Sequence, residues 1–157
     1  MEKIAVFPGS FDPITIGHES IIKRAIPLFD KIFIALGDNI QKTALFPLDA
    51  RKYWIEKVFN DFSTIEVISY SGLTVELCKN LNAKYLLRGL RTAADFEFER
   101  SIGQVNKKLY PEIETVFLLT TPEFTPVNSS IVRDIYRNKG DVTKFVPEGV
   151  DLNNYKV

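Results

Sequence analysis

The chain has 157 residues, the length of one domain with its own hydrophobic core. Twenty basic residues balance twenty acidic ones, which excludes attraction of a polyanion by the overall charge; a phosphate ligand needs a local cluster of cations. One cysteine and one histidine exclude an intramolecular disulfide and the usual cysteine–histidine zinc sites, so any metal should be a hard ion held by oxygens.

Strands and helices alternate along the predicted chain. Runs rich in β-branched and aromatic residues predict strands at 3–7, 31–36, 64–69, 85–87 and 115–119. Apolar residues at helical spacing predict helices around 21–26, 54–59 and 75–81, a fourth from about 92 or 93, and a fifth from about 129. The fourth helix would present Phe96, Ile102, Val105 and Leu109 on one face. The end of the chain, from about residue 146, reads as a short irregular tail.

This alternation predicts an α/β fold, a Rossmann-like, doubly wound domain with a five-stranded parallel sheet over residues 1–157. Three of the strands are nearly continuous hydrophobic runs, which is typical of strands covered by helices on both faces. Ligands of such sheets bind at the carboxyl ends of the strands. The segments that follow each strand are therefore the candidate ligand-binding segments.

The segment 8–18 follows the first strand and leads into a helix. It contains neither a GxxxxGK[ST] nor a GxGxxG pattern, which disfavours P-loop hydrolysis and ordinary dinucleotide binding. Gly9 and Gly17 allow close backbone approach, a helix N-terminus offers N–H groups to an anion, and His18 in the first turn can donate to a phosphate. Position alone favours a partly exposed histidine beside a helix cap.

Three further segments are candidates. Arg88 and Arg91 follow the fourth strand and suit bidentate phosphate binding, although ion pairs with nearby acidic residues would also explain them. Lys42 lies in the loop 37–47, where a lysine is commonly only solubilising. Residues 124–130 place Ser129 and Ser130 at a predicted helix start, as an anion cradle or as an ordinary N-cap.

The first of these segments resembles a known signature. Thr15-x-Gly17-His18, preceded by Gly9-x-Phe11-Asp12-Pro13, resembles the (H/T)xGH motif of the nucleotidylyltransferase superfamily. The threonine form, together with the sequences RGLR at 88–91 and ADFEFE at 94–99, is similar to the phosphopantetheine adenylyltransferase family. The resemblance extends from residue 4 to 147, with Asn128 at a position where the family commonly has serine.

The resemblance implies transfer of an adenylyl group from ATP to 4′-phosphopantetheine by direct in-line attack, giving dephospho-CoA and pyrophosphate, with Mg²⁺ required. The implied catalytic residues are His18, Lys42, Ser10 and Arg91. The implied ATP-binding residues are Ser10, Phe11, His18, Gly89, Leu90, Arg91, Glu99, Phe124, Thr125, Pro126, Val127, Asn128, Ser129 and Ser130. The acceptor would contact Ser10, Lys42, Thr74 and Arg88. The residues that seat Mg²⁺ are not identified by any motif.

The family resemblance also implies a homohexamer, built as a dimer of trimers, and feedback binding of coenzyme A. Nicotinamide mononucleotide adenylyltransferases and cytidylyltransferases are the nearest alternatives, but both generally carry histidine where this chain has Thr15. A nucleotide sensor without catalytic activity is the alternative from a different class. The retained His18, Lys42 and arginine pair disfavour it.

The remaining expectations concern location and polymeric partners. The chain shows no secretion signal and no run approaching the roughly 18 apolar residues of a membrane span. We expect a cytoplasmic protein without membrane association. Because the charge is balanced and no basic helix is evident, we expect no nucleic-acid binding.

Overall fold

The computed structural model describes residues 2–38 and 43–155. The strands are β1 (Ile4–Gly9), β2 (Lys31–Gly37), β3 (Ile65–Tyr70), β4 (Tyr85–Leu90) and β5 (Glu114–Leu119). The α-helices are α1 (Ile16–Ala25), α2 (Leu48–Phe59), α3 (Thr74–Asn80), α4 (Ala93–Leu109) and α5 (Ser129–Arg137). Short 3₁₀ helices cover Ile26–Leu28 and Pro122–Phe124. Within the described ranges, no helix is long and apolar enough to cross a membrane.

The strands form one parallel sheet in the order β3-β2-β1-β4-β5, which confirms the predicted fold class. Strand β1 is central, pairing with β2 through Ile4 and Lys31 and with β4 through Ala5 and Tyr85. After β3 the chain crosses to the other side of β1, so the strand order reverses between β1 and β4. Ligands of open α/β sheets bind in the crevice at such a reversal point.

Strand β4 is longer than the sequence predicts. Arg88 and Gly89 belong to the strand itself, and only Arg91 lies beyond its end. The sequence predicts this strand only to residue 87, because an arginine and a glycine are poor indicators of a strand. The parallel pairing of β4 with β5 supplies the hydrogen bonds that extend it.

Both faces of the sheet are covered. The larger core contains Trp54, Ile22 and Leu87, and the smaller one on the opposite face contains Val6, Cys78 and other buried residues. Burial raises the pKa of the Cys78 thiol to about 11, so this cysteine remains a protonated packing residue.

Two segments differ from a simple interpretation of the sequence. The apolar stripe on α4 is not in the core, since Val105 and Leu109 are 55% and 49% exposed. From residue 146 to 155 the C-terminal tail has no helix or strand, as expected, yet it packs firmly, with Val146 and Leu152 buried against the main core.

Candidate active site

A cavity of about 570 Å³ opens at the reversal point of the sheet. The carboxyl ends of β1 and β4 form its floor, and the first turns of α1, α4 and α5 surround it. Each helix N-terminus carries a partial positive charge and unpaired N–H groups. The convergence of three such ends makes this cavity electrostatically suited to a polyanion.

His18 is held as a neutral imidazole with a defined tautomer. The backbone N–H of Thr15 donates to His18 Nδ1 over 3.1 Å, while the His18 N–H lies 3.4 Å from Thr15 Oγ1, a reciprocal capping box at the start of α1. Because Nδ1 accepts a hydrogen bond, the ring proton sits on Nε2. Burial, followed by the charges of Arg91 and Arg88, lowers the pKa of His18 to about 4. His18 therefore lines the cavity as a neutral hydrogen-bond donor.

The backbone of α1 offers fewer donors than the sequence suggests. The Ile16 N–H donates to the O atom of Phe145, just before the C-terminal tail, over 3.0 Å, and the His18 N–H is capped by Thr15. Among the described residues, Gly17 is the first-turn residue whose N–H has no protein partner, and Gly17 lines the cavity. A ligand anion at α1 would thus meet one backbone N–H and the imidazole.

Arg88 is fixed by a bidentate ion pair. Its Nε and Nη2 donate to Glu99 Oε2 and Oε1 over 2.8 and 2.5 Å, and its Nη1 donates to Pro8 O over 2.7 Å. The Glu99 side chain is only 11% exposed. Both oxygens of this carboxylate are occupied by Arg88, so Glu99 orients the guanidinium at the cavity wall, in an ion pair of the kind that the alternative interpretation of the two arginines expects.

Arg91 is oriented by Asp95. The Arg91 N–H donates to Asp95 Oδ2 over 3.1 Å, and the guanidinium Nε lies 3.3 Å from the same oxygen. The Asp95 N–H in turn donates to Thr92 Oγ1, the N-cap of α4. The terminal Nη groups of Arg91 have no protein partner among the described residues, so they are available to a ligand.

The start of α5 explains the asparagine that departs from the family pattern. Asn128 is the N-cap, with Oδ1 accepting from the Ile131 N–H over 3.0 Å. Asparagine caps a helix as well as serine does. Ser129 Oγ donates to Pro13 O over 2.9 Å, and Ser130 Oγ accepts from Arg133 Nη2 over 3.0 Å. Both serines line the cavity, and both of their N–H groups are without partners in the described chain.

A second cavity of about 770 Å³ adjoins the first. Ser10 and Arg133 line both cavities. The other walls of the second cavity come from the turn after β1, from the loops after β2 and β3 and from the helices α2 and α5. They include Asp12, Asp38, Thr43, Arg51, Tyr70, Ser71, Gly72 and Arg137. Two ligands bound in these cavities would therefore meet beside Ser10.

The structure brings most of the predicted site residues together. The first cavity is lined by Ser10, Phe11, His18, Arg88, Gly89, Arg91, Glu99, Val127, Asn128, Ser129 and Ser130. Leu90, Thr74, Phe124, Thr125 and Pro126 line neither cavity. Thr74 begins α3, and its hydroxyl lies 2.8 Å from the hydroxyl of Tyr70, which does line the second cavity. Lys42 lies outside the described residues.

Sequence reasoning missed Asp95 and Arg133 as site residues. The signal for both was helical spacing: Asp95 is three residues after its cap Thr92, and Arg133 is three residues after Ser130.

In the described ranges, no three His, Cys, Asp or Glu side chains are grouped so that they could hold a metal ion.

Comparisons with known proteins agree with this geometry. A family described as cytidylyltransferase-like matches residues 6–135. A phosphopantetheine adenylyltransferase from Flavobacterium psychrophilum is 55% identical over 93% of this chain and 96% of its own, and one from Leptospira biflexa is 47% identical over 96% and 94%. The Plasmodium falciparum nicotinic acid mononucleotide adenylyltransferase has a similar fold, with a TM-score of 0.67 at 16% identity over 94% and 92% of the two chains.

Proposed function

Because the chain belongs to the phosphopantetheine adenylyltransferase family of cytidylyltransferase-like proteins, we propose that it transfers the adenylyl group of ATP to 4′-phosphopantetheine, giving dephospho-CoA and pyrophosphate. The observation that carries the proposal is the pair of cavities that meet at Ser10, beside a neutral histidine. Two anionic substrates can occupy adjoining sites there, with a hydrogen-bond donor near their junction.

The first cavity is the proposed ATP site. The free N–H groups of Ser129 and Ser130, the hydroxyls at the start of α5 and the open Nη groups of Arg91 suit the β- and γ-phosphates. Gly89 has no side chain to obstruct the nucleotide, and a Cβ there would lie 3.2 Å from Ile21 Cγ1. These donors are fixed before the ligand binds, which reduces the cost of reorganisation during reaction.

His18 is the proposed transition-state donor to the α-phosphate. Its Nδ1 is occupied by Thr15, so the hydrogen on Nε2 is the one that a ligand can accept. A neutral donor suits this role because it stabilises the added charge of the pentavalent α-phosphorus without holding the product phosphate as tightly as an imidazolium. Losing such a donor typically lowers kcat by about 10²–10³.

The second cavity is the proposed acceptor site. Arg88 and Ser10 would hold the acceptor phosphate at the junction of the cavities, and the pantetheine arm would extend toward Tyr70 and Gly72. Lys42 and Thr74 keep the acceptor-binding roles that the family resemblance implies. An anionic phosphate oxygen attacks the α-phosphorus and the bond to the β-phosphate oxygen breaks, so pyrophosphate carries the displaced electron pair. This attack needs neither a general base nor a protein nucleophile.

Mg²⁺ is the proposed metal, bound with the nucleotide. The carboxylates that line the first cavity are those of Glu99, paired with Arg88, and Asp95, paired with Arg91. Mg²⁺ commonly binds through substrate phosphates, waters and at most one or two carboxylates. This donor set therefore fits Mg²⁺ delivered on the triphosphate, where the ion neutralises part of its charge.

Assembly, regulation and location complete the proposal. The exposed apolar stripe of α4, with Val105 and Leu109, supports a homohexamer, because a monomer gains nothing from an apolar face in water.

Coenzyme A combines a pantetheine arm with an adenylate group, and it is the proposed feedback ligand of the same two cavities. A cytoplasmic location agrees with the reduced, buried Cys78.

The test is pyrophosphate release by the purified protein with Mg²⁺, in which ATP or CTP is combined with phosphopantetheine, nicotinamide mononucleotide or glycerol 3-phosphate. We expect release only with ATP and phosphopantetheine, with dephospho-CoA identified by mass. Release with another pair would retain the reaction type and change the substrate. ATP binding without turnover on any acceptor would favour the nucleotide sensor.

A further inference from the structure

Two buried, oppositely charged side chains beneath the junction of the cavities have no role in the reaction described so far. Asp12 is 6% exposed and Arg51 is 5% exposed, yet neither makes a bidentate pair with the other. Each side chain forms hydrogen bonds with backbone groups instead. Burying a charge is costly unless its hydrogen bonds are satisfied, so such an arrangement requires an explanation.

Both side chains link the turn after β1 to the region around the start of α2, Asp12 as an acceptor of hydrogen bonds and Arg51 as a donor. Asp12 lies in the turn after β1 and accepts from the N–H groups of Leu45 and Phe46 over 2.8 and 2.9 Å. Arg51 lies on α2 and donates to Phe46 O over 3.0 Å and to Ser10 O over 2.6 Å. These four hydrogen bonds tie the turn after β1 to the segment that precedes α2.

The turn held in this way has an unfavourable backbone conformation. Phe11, between Ser10 and Asp12, has a φ of 46°, in the left-handed region that residues with a side chain rarely occupy. Such strain persists only where the surroundings enforce it, and it concentrates at functional sites. Here the enforcing groups are the hydrogen bonds on either side of Phe11.

The conformation of Phe11 has a direct effect on the reacting groups. Its ring packs edge-on against the imidazole of His18, with centroids 5.1 Å apart, and is 3% exposed. The same left-handed residue directs the chain so that Ser10 faces both cavities. A relaxation of Phe11 would therefore move the two groups at the reaction centre together.

We propose that Asp12 and Arg51 are positioning residues for the transfer reaction, a buried clamp that holds Phe11 in its left-handed conformation and thereby fixes Ser10 and the His18 ring. Both side chains line the second cavity, but their hydrogen bonds go to the backbone on either side of Phe11, so the clamp acts through the turn. This inference rests on the proposed function for its kinetic consequence, but its structural consequence at His18 does not depend on any activity.

The test compares Asp12→Asn and Arg51→Lys with Ile113→Ala. The asparagine keeps one acceptor oxygen and turns an amide donor toward the second N–H, and the lysine keeps the charge but cannot reach both carbonyls. Ile113 is a buried residue of the opposite core cluster, so its truncation costs stability away from the turn. His18 is the only histidine, so its imidazole proton signal in NMR reports its position without ambiguity.

We expect both clamp variants to lower kcat by about 10–100-fold, the effect of misplacing reacting groups by roughly 1 Å, with a smaller change in the KM of ATP. The His18 signal should move in both, whereas Ile113→Ala should leave kcat and the signal unchanged. An unshifted signal in a folded clamp variant would overturn the proposal, as would an equal shift in Ile113→Ala. If Asp12→Asn does not fold, Arg51→Lys decides the question.

Failure of the two proposals can be distinguished. If the wild-type protein releases no pyrophosphate with any substrate pair, the proposed function fails, and the His18 signal still tests the clamp. If the wild type is active and Asp12→Asn and Arg51→Lys retain its kcat and its signal, the clamp fails and the proposed function stands.

Discussion

Glu99→Gln separates two roles for this carboxylate, direct ATP binding and orientation of Arg88. In the structure both carboxylate oxygens accept hydrogen bonds from Arg88, which also donates to Pro8 O. Glutamine has nearly the same size, keeps one acceptor oxygen and replaces the other with an amide donor that faces an N–H group of Arg88. The substitution therefore removes the charge and one hydrogen bond with little change in volume.

The expected magnitude follows from the burial of the pair. Breaking a fully buried ion pair costs about 3–5 kcal/mol, but the Arg88 side chain is 29% exposed, so water screens part of the loss. One hydrogen bond to a charged group contributes about 1.5–3 kcal/mol. We expect kcat/KM for phosphopantetheine to fall by about 10–100-fold, since each tenfold corresponds to about 1.4 kcal/mol.

The matched control is Glu97→Gln on the same helix. Glu97 pairs with Arg100 across one helical turn, and its side chain is 65% exposed. Exposed pairs of this kind contribute about 0–1 kcal/mol, so neither stability nor kinetics should change measurably. The assay is steady-state pyrophosphate release with each substrate varied in turn, together with urea unfolding of both variants.

Two results would refute the reasoning. If Glu99→Gln raised the KM of ATP and left phosphopantetheine unaffected, Glu99 would act on the nucleotide itself, as the family resemblance implies. If Glu99→Gln behaved like Glu97→Gln, the bidentate pair would have no functional role.

The remaining predictions concern His18, a helix cap and the C-terminal tail. His18→Ala should lower kcat by about 10²–10³ with a nearly unchanged unfolding curve, and wild-type turnover would contradict its role as donor. An NMR titration of the free protein should show His18 protonating near pH 4. Because this pKa is below the value of 6.5 in the unfolded chain, the free energy of unfolding should fall as the pH decreases from 6.5 to about 4. The loss should reach up to about 3 kcal/mol relative to His18→Gln, which does not titrate. Asn128→Ala should cost about 1 kcal/mol in urea unfolding, whereas Asn128→Ser should be nearly neutral; equal losses would contradict the capping role. Leu152→Ala should lower the free energy of unfolding by about 2–5 kcal/mol, although it lies in the irregular tail, and a loss below 0.5 kcal/mol would contradict its core position.

The sequence by itself determined the fold class and many of the residues that line the first cavity. Continuous hydrophobic strands alternating with amphipathic helices allow little besides a parallel doubly wound sheet. The motif at Thr15, Gly17 and His18 lies at a strand-to-helix junction. The spacing of its residues and the anion-binding chemistry of a helix N-terminus therefore point to the same segment. These features depend on residues that are close together in the chain, so the amino-acid sequence alone is enough to recognise them.

The tertiary structure decided which of the predicted donors are free to bind a ligand. The O atom of Phe145, which follows Ile16 by 129 residues, accepts a hydrogen bond from the Ile16 N–H at the start of α1. The Glu99 carboxylate accepts hydrogen bonds from Arg88, which lies on another element. No periodicity encodes these pairings, because they depend on how separate elements pack. For the same physical reason, the sequence predicts an apolar stripe on α4 but not its surroundings, and the packing leaves Val105 and Leu109 at the surface. Local sequence specifies what each element can offer, and only the packed molecule shows which groups remain available.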